Sequence, residues 1–457
     1  MHPPEASSNG PLNSALSRRD LLRLGVTAGA AAGLGAPLLA ACGGFGDTGG
    51  GSDKLVFLST QFAPVEEAER FRGIMKSAYT AGAVDYVTSD PGPYNSKVRS
   101  EVRSGKVGTN LIGGVHGDLA PLARDGQLED LGGLAQRLAS RGYSSDLLEL
   151  AKVGTNTTYY IPWAQATYII AANKKALQYL PSGANVGDLT YDQFLAWAKA
   201  AKQGTGKPAF GLPAGSKGLI HRFLQGYLYP AFTGGEITRF RSPEAMTMWA
   251  YLKELWAACT PASANFDFMQ EPLAANQVLV AWDHVARLVN APKDAPDQFV
   301  MAPVPAGPKG RAYMPVVTGL AIPKGAPARD RSEQLIEALS TPDVQLDVLR
   351  KNAFFPTVRA TIPNDLPPAV RLEADAVRKQ QTAPGALVAL PPVGLGTGEG
   401  ELTKVYKDTF TRIVLKNEAI AAVLADEGDQ VQKLLTDSKV PCWAPDPESA
   451  GQTCQVG

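Results

Sequence analysis

Flat aromatic rings and planar polar groups occur along the chain in a combination that could bind a polyhydroxylated ring. Trp163 and Trp282 have apolar faces that can stack on the C–H side of such a ring. Its hydroxyl groups could be bonded by the amide and carboxylate side chains of Gln61, Gln165, Asp118 and Asp283. A core position is an equally good interpretation of each tryptophan, and each polar residue taken alone is more typical of a loop or a helix cap.

Two histidine–carboxylate pairs, His116 with Asp118 and Asp283 with His284, could suggest a metal site or acid–base chemistry. The chain has only four histidines, and no His-x3-His or cysteine partner accompanies either pair. A glycoside hydrolase needs two carboxylates that face one glycosidic bond, and nothing in the sequence identifies such a pair. The glycine-rich stretches lack the Lys-Ser/Thr that follows a phosphate-binding loop. We therefore expect no metal, no cofactor and no catalytic residues.

The length and the net charge of the chain limit the kinds of protein that it could be. At 457 residues the chain is long enough for two lobes with separate cores. Its 44 basic and 44 acidic side chains cancel, so the net charge does not favour nucleic acid as a partner.

The first 52 residues are typical of an export leader and an anchor. Ser17-Arg18-Arg19-Asp20 resembles a twin-arginine signal, and the mildly apolar residues 24–41 are too weakly hydrophobic for a lasting membrane span. Leu39-Ala40-Ala41-Cys42 resembles a bacterial lipobox, in which Cys42 becomes diacylated; a plain signal peptide is the alternative. We expect a signal peptide over 1–41 and a flexible tether over 42–52, with the mature protein lipid-anchored on the extracytoplasmic face of the cell membrane.

Three cysteines remain after Cys42. Cys442 and Cys454 enclose a segment with proline and glycine that could loop back, which favours a disulfide between them. Cys259 is then a buried free thiol, although a bond between Cys259 and one of the two tail cysteines stays open.

The start of the globular part alternates strand and helix patterns. Strands are predicted over 54–60, 84–87 and 110–115, with helices over 66–79 and 94–104, which indicates a doubly wound sheet. Ligands of such sheets bind beyond the carboxyl ends of the strands. That rule nominates Gln61, Phe62, His116 and Asp118. Near the other end of the chain, residues 402–435 are predicted to be helical.

Residues 159–177 are predicted to contain a strand that leaves one lobe and enters the other. Its aromatic and β-branched run favours an extended conformation, and Pro162 places the first part at a strand end or edge. Trp163, Gln165 and Tyr168 would line the cleft between the lobes or stand beside it.

This segment carries a family resemblance. The pattern aromatic-x-Ile-Pro-Trp over 159–163, followed by Asn173-Lys174-x-x-Leu177, resembles the first interlobe crossing of extracellular solute-binding proteins of ATP-binding-cassette importers, especially the carbohydrate-binding group. Ala172 replaces the tyrosine that is usual before the Asn-Lys. Further stretches in the family's order are 299–308, 317–324, 340–345 and 352–357, so the resemblance covers about 53–440.

The resemblance implies an α/β fold of the periplasmic-binding-protein type, with two lobes, each a mainly parallel sheet flanked by helices, joined by a hinge. The lobes would be 53–164 plus 319–356, and 165–318 plus 357–457. The hinge would lie near Gln165–Tyr168 and Thr318–Gly319, and Trp282 would stack on a sugar. Thr318, Gly319 and Phe355 join the expected ligand-binding residues.

As a function, the resemblance implies capture of a mono- or oligosaccharide by a monomer that delivers it to membrane permease subunits. A glycerol phosphate, a polyamine or another polar solute is an alternative ligand, and Lys217, His221 and Arg222 are the local candidates for a phosphate. An extracellular lipoprotein enzyme and a receptor for a protein partner are alternatives of another class.

Overall fold

The computed structural model of the protein describes residues 54–62, 65–392, 395 and 398–457. The predicted signal peptide, the tether and the lipidation site Cys42 lie outside the described residues. The strands are β1 Lys54–Ser59, β2 Ala83–Thr88, β3 Leu111–Val115, β4 Ile161–Ala166, β5 Tyr168–Asn173, β6 Phe210–Gly211, β7 Val280–His284, β8 Phe299–Ala302, β9 Arg311–Tyr313, β10 Val316–Ala321 and β11 Ala386–Val388.

Helices cover the sheets. They are α1 Val65–Ala78, α2 Pro91–Ser104, α3 His116–Arg124, α4 Gly132–Arg137, α5 Ser145–Ala151, α6 Tyr191–Thr205, α7 Ile220–Phe223, α8 Tyr229–Thr233, α9 Pro243–Ala258, α10 Gln270–Ala274, α11 Arg329–Leu339, α12 Pro342–Asn352, α13 Pro368–Gln381, α14 Glu399–Phe410 and α15 Ile420–Ser438. Among the described helices, none combines the length and the hydropathy that a membrane span requires.

Local sequence explains several helix starts. Thr190 and Gln193 cap α6 reciprocally: the Thr190 hydroxyl accepts from the Gln193 amide, and the Gln193 side chain accepts from the Thr190 amide. Thr341 caps α12, and Pro342 in its first turn has a φ that suits a helix. The single helix predicted over 402–435 is wrong: a π-helical turn, Thr411–Leu415, ends α14, and Asn417 at a φ of 58° separates it from α15.

The first lobe is built on a five-stranded sheet of order β2-β1-β3-β10-β4. β1 is parallel to β2 and β3, whereas β10 is antiparallel to β3 and β4. Because β1 and β3 are parallel neighbours, their carboxyl ends lie side by side. The residues that follow these two strands therefore form one wall of a potential site.

The second lobe has a sheet of order β6-β7-β5-β8 and a separate parallel pair, β9 with β11. β5 is antiparallel to both β7 and β8, and β6 is parallel to β7. The two-lobe α/β fold predicted from the sequence is confirmed. Its strand pairing is mixed rather than mainly parallel, because the strands at the crossings enter each sheet against the direction of their neighbours.

The chain crosses between the sheets within very few residues. β4 ends at Ala166 and β5 begins at Tyr168, so Thr167 alone separates the two sheets. On the way back β9 ends at Tyr313 and β10 begins at Val316. After α12, the chain pairs with the first crossing once more, since the amides of Gln165 and Phe355 each donate to the carbonyl of the other at 2.9 and 2.7 Å.

Thr318 and Gly319 lie inside β10, in the first-lobe sheet, beyond the crossing at residues 314–315. The Thr318 hydroxyl donates to the Ala164 carbonyl at 2.9 Å. A β-bulge separates Thr318 from Gly319, and a Cβ at position 319 would lie 2.3 Å from the Tyr160 ring. Gly319 therefore allows close packing between this strand and the first-lobe core.

The C-terminal tail is fixed to the second lobe. A disulfide joins Cys442 to Cys454, and Cys259 is a buried free thiol. Between the two tail cysteines, the buried Asp446 carboxylate accepts from the backbone amides of 236, 237 and 238 at 2.8–2.9 Å.

Candidate functional site

The first-lobe wall of the candidate site is a chain of hydrogen bonds at the ends of β1 and β3. The Thr60 hydroxyl donates to Asp118 Oδ2 at 2.7 Å, and Gln61 Nε2 donates to the Thr60 hydroxyl at 3.1 Å. The Val115 amide also donates to Asp118, at 3.2 Å. Burial raises the pKa of Asp118 to about 6, with a smaller rise from the Glu399 carboxylate, against the opposing effect of these hydrogen bonds.

His116 is buried beside this wall. Its Nδ1 lies 2.9 Å from the Tyr160 hydroxyl, whereas its Nε2 has no hydrogen-bond partner among the described residues. Burial lowers the pKa of His116 to about 4, so the ring is neutral at pH 7. In the described part of the chain, no three His, Cys, Asp or Glu side chains gather where they could ligate one metal ion.

The second-lobe wall contains an ion pair that reaches across to the first lobe. Arg222 on α7 donates to Glu399 Oε1 at 2.6 Å, and its other arm donates to Gln225 Oε1 at 3.3 Å. Burial opposes the charge of Arg222, but the attraction of Glu399 outweighs it, and the pKa of Arg222 is raised. Glu399 begins α14, where a carboxylate also interacts favourably with the helix dipole.

The two walls meet at Gly117. A Cβ at this position would lie 2.4 Å from Glu399 Oε2, so a larger residue here would require the Glu399 carboxylate to move. Asp118 and Gly117 come from the first lobe, and Arg222 and Glu399 from the second. Polar groups of both lobes thus lie close to one another at this contact.

Asp283 and His284 at the end of β7 are held by the protein itself. The Asp283 carboxylate accepts from the amides of Met269 at 3.0 Å and His284 at 2.8 Å. Burial raises the pKa of Asp283 to about 7 and lowers that of His284 to about 3. The His284 ring meets Tyr168 edge to face, with 5.1 Å between centroids.

Both predicted stacking tryptophans have their faces covered by protein side chains. Trp163 packs against Phe62 and Phe71, with centroids 5.8 and 5.2 Å away. Trp282 is 0% exposed and packs against Tyr168, stacked at 5.0 Å, and against Phe223 at 4.5 Å. That either tryptophan contacts a ligand remains a prediction.

Gln165, Tyr168 and Phe355 gather at the crossing rather than at the wall. Gln165 Nε2 donates to the Pro356 carbonyl at 2.8 Å, which fixes the amide between two chain segments. Phe355 is buried beside it. Tyr168 lies near two cations, Arg222 and Arg287. Burial raises the pKa of the Tyr168 hydroxyl to about 12, and the charges of these two residues oppose that rise.

Sequence reasoning missed an exposed aromatic ring and two cations. Phe268 is 41% exposed, and the Arg287 guanidinium lies 4.4 Å above its ring. Arg287 also donates to the Asp267 carbonyl at 3.1 Å, and Lys407 on α14 donates to the Ser216 carbonyl at 2.9 Å. Arg287 lies three residues beyond the end of β7, so the rule that ligands bind near strand ends could have found it, whereas nothing in the sequence marks Phe268.

These cations join the residues that the sequence nominated for a phosphate. The Lys217 amide donates to Asp267 Oδ1 at 2.8 Å, in the loop beside Phe268. Burial lowers the pKa of His221, and the charges of Arg222, Lys407 and Arg287 lower it further. The second-lobe wall is therefore rich in positive charge, with a neutral His221 among the cations.

Comparison with known families gives one match over most of the chain. A profile described as "Bacterial extracellular solute-binding protein" matches residues 63–346. No match was found among curated proteins.

Solved structures share the fold at low sequence identity. The GacH receptor of Streptomyces glaucescens GLA.O, solved unliganded and with acarbose, is 19% identical, with a TM-score of 0.66 over 84% of this chain and 99% of that one. UgpB from Mycobacterium tuberculosis, in complex with glycerophosphocholine, is 18% identical, with a TM-score of 0.65 over 85% and 100%. The sugar-binding protein MalE from Xanthomonas citri is 16% identical, with a TM-score of 0.69 over 84% and 98%.

Proposed function

The chain belongs to the family of bacterial extracellular solute-binding proteins, and from that membership we propose that it captures a small polar solute between its lobes and delivers it to the permease of an ATP-binding-cassette importer. The resemblance that the sequence suggested is thereby confirmed. One observation carries the proposal: Asp118 of the first lobe lies close enough to Glu399 of the second for the Glu399 charge to raise its pKa, and Glu399, which pairs with Arg222, also contacts Gly117 of the first lobe. We place the binding site in the space between these groups. Hinge motion about the crossings would open and close that space.

The proposed ligand is a mono- or oligosaccharide. Carboxylate, amide, hydroxyl and guanidinium groups offer both donors and acceptors to sugar hydroxyls, through Thr60, Gln61, Asp118, Arg222 and Glu399. Phe268, with its exposed ring, is the structure's candidate for stacking. The GacH receptor and MalE, which share the fold, are respectively solved with acarbose and described as sugar-binding.

A ligand with a phosphate group is the second candidate. Arg222 is paired with Glu399, but Arg287 bonds to backbone carbonyls and lies near Lys407 and Lys217. That arrangement leaves positive charge for an anionic group. UgpB, which shares the fold, is solved with glycerophosphocholine.

We also propose that Cys42 carries a diacylglyceryl anchor and that the protein acts as a monomer at the extracytoplasmic face of the membrane. The sequence motifs around Cys42 support the anchor. The family is one of transporter substrate-binding proteins, so we propose binding without turnover.

A thermal-shift screen tests the proposal. The panel would contain mono- and disaccharides, sugar alcohols, glycerol phosphates, polyamines and amino acids. A ligand present at 100 times its dissociation constant should stabilise the protein by about 2.7 kcal/mol. A shift with one sugar class supports the first candidate, a shift with phosphate esters alone supports the second, and silence across the panel argues against small-solute capture from these classes.

The affinity for the ligand found in this way is expected to depend on pH through Asp118. A carboxylate accepts a ligand hydroxyl better than the protonated acid does, and the pKa of Asp118 is raised to about 6. Below pH 6 binding must first remove the proton, so affinity should rise by up to about tenfold from pH 5 to pH 7. Isothermal titration calorimetry at both values measures this.

Asp118→Asn provides the control, because its amide does not titrate. The variant should bind with an affinity that changes little over the same range. An equally steep pH profile in wild type and variant would show that another group is responsible.

A further inference from the structure

The hydroxyl of Tyr227 lies at a junction where both crossings meet. It is fully buried, accepts from the Tyr168 amide at 3.0 Å and lies 3.0 Å from the Thr167 hydroxyl. The Thr167 hydroxyl in turn donates to the Met314 carbonyl at 2.9 Å. Thr167 belongs to the first crossing and Met314 to the second, so the Tyr227 hydroxyl contacts the first crossing directly and reaches the second both through Thr167 and by its own long hydrogen bond to the Met314 carbonyl, at 3.5 Å.

A fourth segment completes this network. Gln380 on α13 donates to the Thr167 hydroxyl at 3.2 Å and to the Tyr168 carbonyl at 3.1 Å. Its Oε1 accepts from the Val304 amide at 3.0 Å. Each polar atom of the junction therefore has a partner, which favours one defined arrangement of the crossings.

Tyr227 is presented by a π-helical turn, Leu224–Leu228, between α7 and α8. Pro230 has no amide hydrogen for the carbonyl four residues earlier, at Gly226, which helps to explain why the regular helix is interrupted here. The turn also packs directly on the second crossing, since a Cβ at Gly226 would lie 2.5 Å from Met314 Cβ.

The same helical segment carries Arg222, in α7 and two residues before the π-helical turn begins. Arg222 holds Glu399 at the point where the two lobes touch. Tyr227 also packs edge to face on Tyr168 and on Trp282, at 5.6 and 5.4 Å. A movement of Arg222 would therefore be transmitted to the crossings along the short, buried helical segment that leads from it to Tyr227.

We propose that Tyr227 is a positioning residue that couples solute capture at Arg222 to the angle between the lobes, by hydrogen-bonding the Arg222-bearing segment to both crossings. This inference rests on the proposed function for its ligand, but the hinge junction itself can be tested without one. Removing the Tyr227 hydroxyl loosens the hinge and uncouples it from Arg222.

The ligand-free test measures the distance distribution between two spin labels by pulsed electron resonance. Labels on cysteines placed at the exposed positions Arg103 in α2 and Gln203 in α6 report on one lobe each. Among the described residues the native cysteines are disulfide-bonded or buried, and Cys42 is acylated under the proposed function, which directs labelling to the two new sites.

Tyr227→Phe is expected to broaden or shift the distance distribution, and Thr167→Val to do the same, because each removes one member of the junction. Tyr229→Phe is the matched control. That hydroxyl is equally buried and hydrogen-bonded, to the Phe240 carbonyl and the Trp249 ring, but lies wholly within the second lobe. Its distribution should superimpose on that of wild type, and retained near-ultraviolet circular dichroism confirms that each variant is folded.

With the solute found in the screen, Tyr227→Phe should weaken affinity about five- to tenfold, as expected for one buried hydrogen bond, while Tyr229→Phe stays within about twofold. Unchanged distances in both junction variants, or an equal change in Tyr229→Phe, would overturn the proposal whether or not a solute is known. A silent screen with altered distances would instead count against the proposed function alone.

Discussion

Replacement of Trp282 by alanine is expected to lower the free energy of unfolding by about 3–5 kcal/mol, the range for large aromatic truncations in a core. The indole is 0% exposed, stacked on Tyr168 at 5.0 Å and covered by Phe223 at 4.5 Å. Its removal leaves a cavity below the first crossing that these rings cannot fill without moving. Urea denaturation of the ligand-free protein measures the loss.

Trp256→Ala is the matched control. This indole, in the same lobe, is only half-buried and meets Phe410 edge to face at 5.1 Å. Its truncation should lower the free energy of unfolding by about 1–2 kcal/mol, in proportion to the smaller apolar area that it buries. If Trp282→Ala instead kept wild-type stability and lost only solute binding, the indole would be a ligand contact and its buried position in this structure would not be the one that binds.

Trp282 shows why a sequence predicts the position of a strand better than it predicts which face of the strand is turned to the cleft. β7 lies in the middle of a sheet covered on both sides: Val280 and Trp282 point to one core cluster, and Ala281 points to the other. A strand buried on both faces has no alternation of polar and apolar residues, so nothing in the sequence says which face is turned to the cleft. By contrast, the change from strand to helix periodicity between 54 and 115 was enough to predict β1 to β3 with their connecting helices.

The candidate site was predicted where it follows directly from a strand end and missed where it depends on tertiary docking. Gln61 and Asp118, which the sequence nominated, follow β1 and β3, and the parallel strands bring them together with Thr60, which it did not nominate. Glu399 reaches the site only because α14 docks with its first residue against Gly117, a contact between residues almost 300 positions apart. No local pattern specifies such a contact.

Arg222→Ala is expected to abolish measurable solute binding, with an affinity loss of about 2–5 kcal/mol, the cost of removing one partner of a desolvated charge pair. The guanidinium bonds Glu399 and Gln225 at the point where the lobes meet. Without it, Glu399 faces Asp118 with no compensating charge. Stability should also fall, by about 2–3 kcal/mol, less than for a fully buried pair because both side chains retain about a fifth of their exposure. Calorimetry and urea denaturation measure the two effects.

A double variant separates the structural part of this effect from the functional part. Arg222→Met combined with Glu399→Leu removes both charges and refills the volume, so much of the lost stability should return. Binding should not return, because the groups proposed to hold the solute are gone. Arg137→Ala is the surface control: Arg137 bonds Glu333 and Glu337 at 2.6 and 2.9 Å but is 52% exposed, so stability should change little, with binding unchanged. Recovery of binding in the double variant would place the solute away from this ion pair and leave the pair a purely structural role within the second lobe.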